Sequence, residues 1–226
     1  MSVMASVVNV FVDEVGDHGN PLGIVWASAA TKKHEAEIAA DLGFSETIFI
    51  DEISQDVAHV RIFTPAGEVR FGGHPVVGLA SWLHEAGDDI RTISCAVGSA
   101  RVRVEGERVF VNAMPEWTTN FVLERLSSPE EVLAVDPEAY SEGTFCVWAW
   151  IDEEAGVVRA RVFAPDLGIR EDSATGSAAI RLTAELGRDL QVVQGSGSVL
   201  YTHRRNLGRE IEVGGRTSPE RLVELA

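Results

Sequence analysis

Two short loops of the chain carry polar side chains of the types that move protons. Gly73-His74 and Gly176-Ser177 each stand directly before a run of small and apolar residues. Upstream of them, Arg61-Ile62-Phe63-Thr64-Pro65 matches Arg161-Val162-Phe163-Ala164-Pro165. Each copy has the pattern of a strand, a loop and a helix. A duplicated unit of this kind predicts two similar halves that bring the two loops to one cleft.

The alternative to duplication is a chance match of a short Arg-aromatic-Pro pattern. The second copy has three extra residues after Arg170, so that His74 pairs with Ser177. Beyond this insertion, Leu79 and Leu83 pair with Leu182 and Leu186. Because the helices keep register as well as the strands, the pattern favours duplication.

Glu46 is the strongest candidate for acid–base chemistry in the first half. It stands at the beginning of an apolar strand, just after a helix stop at Gly43. The apolar neighbours Phe44, Ile48 and Phe49 predict a raised pKa for this carboxyl group, in the range where it could accept and return a proton. From spacing alone, a solvent-exposed surface glutamate is the simpler interpretation.

His74 follows Gly72-Gly73 and precedes Pro75, at a helix start where backbone amides lack partners. It could donate to a substrate oxygen or shuttle a proton, although a lone histidine there is more often structural. Two glycines indicate a close backbone approach. In the second half, Asp172, Thr175, Gly176 and Ser177 could form a cradle for an anion or a carbonyl group, or simply cap the helix.

Composition narrows the class of protein. The 226 residues include 35 Asp and Glu against 19 Lys and Arg, a net charge of -16 that disfavours nucleic acid and anionic membranes as partners. Cys95 and Cys146 lack metal-ligand spacing, so we expect buried thiols in a reducing compartment and no metal site. No signal peptide or long apolar run is visible, and we expect a cytoplasmic protein.

The pattern along the chain predicts an α+β fold of two pseudo-symmetric halves, residues 1–115 and 116–226. Each half is expected to be a rolled, mostly antiparallel sheet around one central helix, with parallel βαβ winding disfavoured because tight turns join consecutive strands. The predicted helices are 31–42 with Thr31 as cap, 75–85 and 177–186. The predicted strands are 6–13, 22–26, 45–50, 57–63, 90–95, 100–105, 108–112, 145–151, 157–163, 190–194, 198–203 and 210–213.

Taken together, the motifs resemble the phenazine-biosynthesis PhzF-like isomerase family. They are Asn9-Val10-Phe11, Gly19-Asn20-Pro21-Leu22, Phe44-Ser45-Glu46-Thr47, the Arg61–Pro65 segment with Gly73-His74-Pro75, and Glu171-Asp172-Ser173-Ala174-Thr175-Gly176-Ser177-Ala178. The resemblance implies a diaminopimelate-epimerase-like fold, often a homodimer. It also implies isomerisation without a cofactor, by relocation of a proton between carbons of a small metabolite that we expect to bear a carboxylate. Glu46 is then the acid–base, with His74, Asp172 and Ser177 catalytic and Asn20, Gly73, Thr175 and Gly176 binding substrate.

Three departures from the family pattern concern the substrate walls. Ser173 stands where the family commonly has Pro, Gly195-Ser196-Gly197-Ser198 replaces the usual Gly-Arg-Pro-Ser, and the chain is shorter than typical relatives. Two alternatives therefore stay open: a small-molecule binding protein without turnover, and an epimerase or racemase acting at one carbon. Racemisation by two thiols is disfavoured because neither reactive loop contains a cysteine.

Overall fold

The computed structural model describes residues 3–225, which contain one continuous sixteen-stranded sheet and four α-helices. The helices are α1 (Glu35–Leu42), α2 (Gly73–Glu85), α3 (Pro129–Ala134) and α4 (Gly176–Leu186). The strands are β1 (Val3–Val12), β2 (His18–Trp26), β3 (Glu46–Ser54), β4 (Val57–Thr64), β5 (Gly67–Val69), β6 (Thr92–Cys95), β7 (Gly98–Glu105), β8 (Arg108–Ala113), β9 (Val122–Arg125), β10 (Phe145–Asp152), β11 (Val157–Ala164), β12 (Ile169–Asp172), β13 (Leu190–Gln194), β14 (Ser198–Arg205), β15 (Glu210–Thr217) and β16 (Arg221–Leu225). Within residues 3–225, no helix is long and apolar enough to cross a membrane.

The two halves repeat one order of elements, which confirms the predicted pseudo-symmetry. In the first half β2 pairs parallel with β3, β3 antiparallel with β4, and β4 parallel with β6 across α2. In the second half β9, β10, β11 and β13 repeat these pairings across α3 and α4. The sheet is mostly antiparallel, as expected. The disfavoured βαβ crossovers are nevertheless present, because a helix separates each pair of parallel strands.

The helices α2 and α4 lie at the centre of the core. The side chains of α2 that pack against the sheet include Val76, Val77, Leu79 and Leu83, all fully buried. Gly78 lets the helix approach closely, since a Cβ there would lie 2.5 Å from Val10 Cγ2. The central helices are thereby fixed against the strands, and their first turns have defined positions between the halves.

Three helix starts differ from the sequence prediction, that of α4 by one residue, since it begins at Gly176. α1 begins at Glu35, and Thr31 instead lies in the preceding turn, where its hydroxyl accepts a hydrogen bond from the Ser28 amide at 2.8 Å. α2 begins at Gly73, two residues before Pro75, because the extended backbone at Gly72 immediately precedes it. The predicted helix stop at Gly43 is confirmed by its left-handed backbone, with φ 68°.

The last strands of the chain join the two halves. β15 pairs antiparallel with β8, and β16 pairs antiparallel with β1. β15 also bonds with β1 at Val10 and Val12. The segment after residue 209, which lies in the predicted second half and pairs there with β14, therefore also pairs with strands of the first half.

The duplicated arginines anchor the short crossover helix of each half. Arg61 binds Asp51 and, at 2.7 Å, Glu35 at the start of α1. Arg161 binds both oxygens of Glu171 at 2.7 Å, and its Nη1 donates to the carbonyls of the α3 end, at Val132, Leu133 and Val135. The repeated Arg thus has a structural role in both copies.

Replacing Arg161 with Met should destabilise the protein, because Glu171 and the last carbonyls of α3 would lose their buried donor. The expected loss is about 2–4 kcal/mol of unfolding free energy, measured by urea denaturation. Arg170→Met is the matched control, since Arg170 forms an exposed ion pair with Glu138. That control should change stability by less than about 1 kcal/mol, and equal losses in both variants would contradict this role for Arg161.

Candidate active site

The starts of α2 and α4 touch where the two halves meet. A Cβ on Gly73 would lie 2.9 Å from the Cα of Gly176, and a Cβ on Gly176 would lie 2.9 Å from the His74 amide nitrogen. Only glycine fits at either position without moving backbone atoms. The contact places His74 and Ser177 side by side, and Ser177 Oγ accepts a long hydrogen bond, 3.4 Å, from the Gly73 amide. The two predicted loops are thus brought together.

Glu46 and His74 form a buried pair at this junction. Glu46 is the first residue of β3, and its Oε2 lies 3.0 Å from His74 Nδ1. The other ring nitrogen of His74, Nε2, lies 3.0 Å from the carbonyl oxygen of Asn20. A carbonyl can only accept, so Nε2 carries a proton, and the hydrogen bond between Nδ1 and Glu46 therefore contains a further proton. The pair holds that proton on either the imidazole or the carboxyl group.

The charges of this pair correct the expectation for Glu46. Burial acts to raise the pKa of Glu46, but the hydrogen bond and the positive charge of His74 outweigh it, so that the pKa is lowered. Burial likewise acts to lower the pKa of His74, and the Glu46 contact raises it overall. The resting pair is a carboxylate and an imidazolium. Glu46 is therefore in the form that can accept a proton.

Asp172, at the end of β12, is the second carboxyl group of the site and is 5% exposed. Its Oδ1 accepts a hydrogen bond from Asn20 Nδ2 at 2.7 Å, and its Oδ2 accepts one from the Thr175 hydroxyl at 2.5 Å. Burial, together with the nearby charge of Glu46, raises the pKa of Asp172 to about 6. The site thus combines one ionised carboxylate with one that gains a proton in mildly acidic solution.

Asn20 connects the two carboxyl groups. Its backbone carbonyl accepts from His74, while its side-chain amide donates to Asp172 and, at 2.9 Å, to the Ala174 carbonyl. The Ser45 hydroxyl donates to Asn20 Oδ1 at 3.1 Å. Asn20 was predicted to bind substrate, whereas its amide contacts protein groups on both sides.

Some of these side chains line a cavity of about 30 Å³, whereas His74 and Asn20 lie behind its wall. The polar wall consists of Glu46, Thr64, Thr119, Asp172, Thr175 and Ser177. The apolar wall consists of Val69, Phe71, Phe121, Val162, Ala164, Leu167 and Ile169. An outer groove of about 240 Å³ adjoins the cavity, since Ile169 and Asp172 line both.

Sequence reasoning assigned no residue of the apolar wall to the site, and it also missed Thr64 and Thr119. Thr119 and Phe121 belong to the segment that joins the halves, and both line the cavity. Phe71 stacks edge-on against Trp117 of the same segment, with ring centroids 5.8 Å apart. The only signal was aromatic content in a stretch without strand or helix periodicity.

Neither a wider groove elsewhere on the molecule nor the two cysteines belong to the candidate site. This groove has a volume of about 840 Å³, lies between Met114 and Arg209 and contains none of the predicted site residues. Neither cysteine lines the cavity: Cys146 is buried in β10, where burial raises the pKa of its thiol to about 12. The geometry therefore points to carboxyl and imidazole groups, and not to a thiol, as the candidates for proton transfer.

The raised pKa of Asp172 predicts a pH-dependent stability. A pKa raised from 3.8 to about 6 means that the group stabilises the folded state at low pH and loses this contribution as the pH rises through about 6. Asp172→Asn removes the dependence. Relative to wild type, the unfolding free energy of the variant should therefore rise by about 1–1.5 kcal/mol from about pH 5 to about pH 7.5.

Urea denaturation at both pH values measures this change. Asp41→Asn, on the exposed side of α1, controls for the removal of one negative charge. A constant difference between Asp172→Asn and wild type across the range would show that Asp172 does not titrate there.

Comparison with known proteins supports one family assignment. The family described as "Phenazine biosynthesis-like protein" matches residues 8–119 and 108–220. The trans-2,3-dihydro-3-hydroxyanthranilate isomerase of Pseudomonas aeruginosa is 28% identical over 221 residues, which cover 78% of this chain and 77% of that protein. An uncharacterized isomerase of Deinococcus radiodurans is also 28% identical, and the match covers 88% of this chain and 82% of that protein.

Solved structures show the same fold. A phenazine biosynthesis protein of the PhzF family from Enterococcus faecalis superposes with a TM-score of 0.79 at 21% identity, covering 100% of both chains. The two halves around paired central helices thus form the diaminopimelate-epimerase-like α+β fold. Since the family match spans both halves of the molecule and the fold agrees with it, the chain belongs to the phenazine biosynthesis-like protein family, a family of isomerases.

Proposed function

We propose that the protein is a cofactor-independent isomerase that moves a proton between two carbons of a small metabolite. The observation that carries this proposal is the Glu46 carboxylate held against His74 at the edge of a cavity between the halves. The side chain of Glu46 is 16% exposed, so it is largely protected from water and still accessible from the cavity. A desolvated, ionised carboxylate with a fixed partner is suited to proton abstraction from carbon.

In the proposed reaction, Glu46 takes a proton from one carbon and the electron pair of that C–H bond moves into a conjugated system. His74 occupies Oε2, so Oε1 is the atom that meets the substrate. Glu46 then delivers a proton, either the one it took or one exchanged with solvent, to a second carbon, which restores the carboxylate. The step needs no oxidant, reductant or second substrate.

Charge that develops on a substrate oxygen has to be stabilised by the starts of the two helices. Within residues 3–225, no Lys or Arg lines the cavity. The first-turn amides of α2 and α4 lack intrahelical acceptors and carry partial positive charge. Together with the Ser177 hydroxyl, they support a carboxylate-bearing substrate whose apolar part contacts Val69, Phe71 and Phe121.

The relative from Pseudomonas aeruginosa suggests the first compound to test, trans-2,3-dihydro-3-hydroxyanthranilate.

Two segments near the site differ from the family pattern, so the identity of this chain's substrate stays open. Ser173 lines the outer groove. Gly195 lies against Ser173, since a Cβ on Gly195 would be 2.8 Å from the Ser173 carbonyl oxygen. Both belong to the departures from the family pattern.

Epimerisation at a single carbon is the second candidate, favoured by one specific observation. Glu46 and Asp172 come from opposite halves, line the same cavity and have pKa values shifted in opposite directions. One base and one acid on two sides of a carbon could invert its configuration. A hydroxyproline epimerase from Agrobacterium vitis shares the fold, with a TM-score of 0.63 at 11% identity and coverage of 100% of this chain and 92% of that one.

Glu46→Gln should abolish the reaction while leaving the fold intact, because an amide retains the shape and hydrogen-bonding capacity but cannot accept the proton. Incubation with trans-2,3-dihydro-3-hydroxyanthranilate in deuterated water, followed by NMR and mass spectrometry, measures isomer formation and deuterium incorporation. We expect a loss of at least about a thousandfold, in line with removal of an essential acid–base group. Glu52→Gln, an exposed change on the same strand, should retain wild-type rates.

The position of the label separates the candidates. Deuterium at a new carbon with altered bond positions supports isomerisation, and exchange at one carbon with unchanged constitution supports epimerisation. Full exchange by Glu46→Gln would reject Glu46 as the base. Tight binding of the compound without exchange in the wild type would favour a binding protein without turnover.

We also propose a homodimer formed through β16. This strand ends the sheet, with β1 on its inner side. On β16 and the two strands next to it, β1 and β2, the side chains of Leu222, Met4 and Trp26 are 66%, 49% and 51% exposed. Two copies of β16 in antiparallel register can place Arg221 of each opposite Glu224 of the other, so the edge is complementary in charge to itself.

The cytoplasmic location expected from the sequence stays a prediction.

Leu222→Glu should convert the dimer to a monomer, because it introduces a carboxylate into the apolar part of this edge. Analytical ultracentrifugation at micromolar concentration measures the mass. Leu207→Glu is the control, since Leu207 is 99% exposed and lies on the β14–β15 connection, away from this edge. A monomeric wild type, or a dimer that persists in Leu222→Glu, would contradict the proposed interface.

A further inference from the structure

Gln194 is a buried polar residue with no part in the chemistry described above. It is the last residue of β13 and is 1% exposed. Its Nε2 donates to the backbone carbonyl of Asp172 at 2.8 Å and to the Thr175 hydroxyl oxygen at 2.9 Å, while its Oε1 accepts from the Thr175 amide at 2.9 Å. All three bonds go to the loop that carries Asp172.

The backbone groups fix which way this amide faces. The Thr175 N–H can only donate and the Asp172 carbonyl can only accept, so Oε1 and Nε2 of Gln194 each have one possible partner type. The second Nε2 hydrogen then points at Thr175 Oγ1. Because Gln194 donates to that oxygen, the single hydroxyl proton of Thr175 is directed to Asp172 Oδ2, 2.5 Å away.

The other oxygen of Asp172 has a donor that is oriented in the same manner. Ser45 donates to Asn20 Oδ1, which turns Asn20 Nδ2 toward Asp172 Oδ1. Each oxygen of Asp172 therefore faces a donor whose direction is set by a third residue. This arrangement satisfies the carboxylate form and gives a protonated Asp172 nowhere to direct its proton except the cavity side.

We propose that Gln194 is a positioning residue of the active site, which holds the Thr175 hydroxyl as a fixed donor to Asp172 and thereby controls when Asp172 carries a proton. The role of that proton in catalysis rests on the proposed function, whereas the orientation of the hydroxyl rests only on the hydrogen bonds. Without Gln194, the Thr175 hydroxyl is free to rotate. Asp172 then loses one of the two hydrogen bonds that lower its pKa against the effect of burial.

The test is an NMR titration of the protein labelled with ¹³C at the Asp carboxyl groups, with the Asp172 signal assigned by its absence in Asp172→Asn. Gln194→Met should raise the titration midpoint of Asp172 by about half a pH unit or more, because the carboxylate loses a hydrogen bond. Thr175→Val should raise it similarly. The double variant should show no more than the larger single shift, since Gln194 acts through Thr175.

Gln191→Met is the matched control, because Gln191 lies on the same strand three residues earlier, half-buried, with its side chain away from this loop. It should leave the midpoint unchanged. If Gln194→Met fails to fold, Gln194→Asn keeps an amide that is too short to reach Thr175, and the same upward shift is expected. An unchanged midpoint in these variants, or additive shifts in the double variant, would overturn the proposal.

This titration needs no substrate. Full exchange by Glu46→Gln would reject the proposed acid–base role of Glu46 and leave the Gln194 result interpretable. An unchanged midpoint would reject the role of Gln194 while leaving the acid–base role of Glu46 standing.

Discussion

The contact between Gly73 and Gly176 is the constraint on which the rest of the site depends. The two helix starts approach so closely that a single Cβ on either glycine would lie 2.9 Å from backbone atoms of the other loop. Backbone atoms cannot swing aside as a flexible side chain can, so this junction fixes the distance between the halves. The same contact brings the starts of two helices to one junction, which neither half could achieve alone.

Around this junction, the electrostatics of the site differ from those of the whole chain. The protein has a net charge of -16, yet its buried centre pairs one carboxylate with one imidazolium and holds a second carboxyl group at a raised pKa. Burial makes each of these charges expensive, and the hydrogen bonds from His74, Asn20 and Thr175 compensate for that cost. The result is a set of groups whose proton occupancy depends on their neighbours and not on the surface charge.

Much of this architecture could be predicted from the sequence, because the duplication preserved local patterns. The two Arg-aromatic-Pro strands lie where their spacing indicated, and the two central helices begin within two residues of their predicted starts. The segment with β9 and α3 was missed because it is short, lacks periodicity and is held by Arg161 from a distant strand. The pKa direction of Glu46 was wrong for a related reason: its sequence neighbours are apolar, but its decisive partner, His74, lies 28 residues away.

The return of the final strands to the beginning of the chain has a consequence for biosynthesis. The Asn9 amide donates to the Ser218 hydroxyl, a hydrogen bond across 209 residues, and β1 pairs with β16 along five residue pairs. During translation β1 and its hairpin partner β2 therefore emerge long before β16 exists. Contacts of such long sequence separation form slowly, and the exposed edge of β1 meanwhile resembles an aggregation-prone strand. Completion of the amino-terminal sheet in this sense has to wait for the synthesis of residues 221–225.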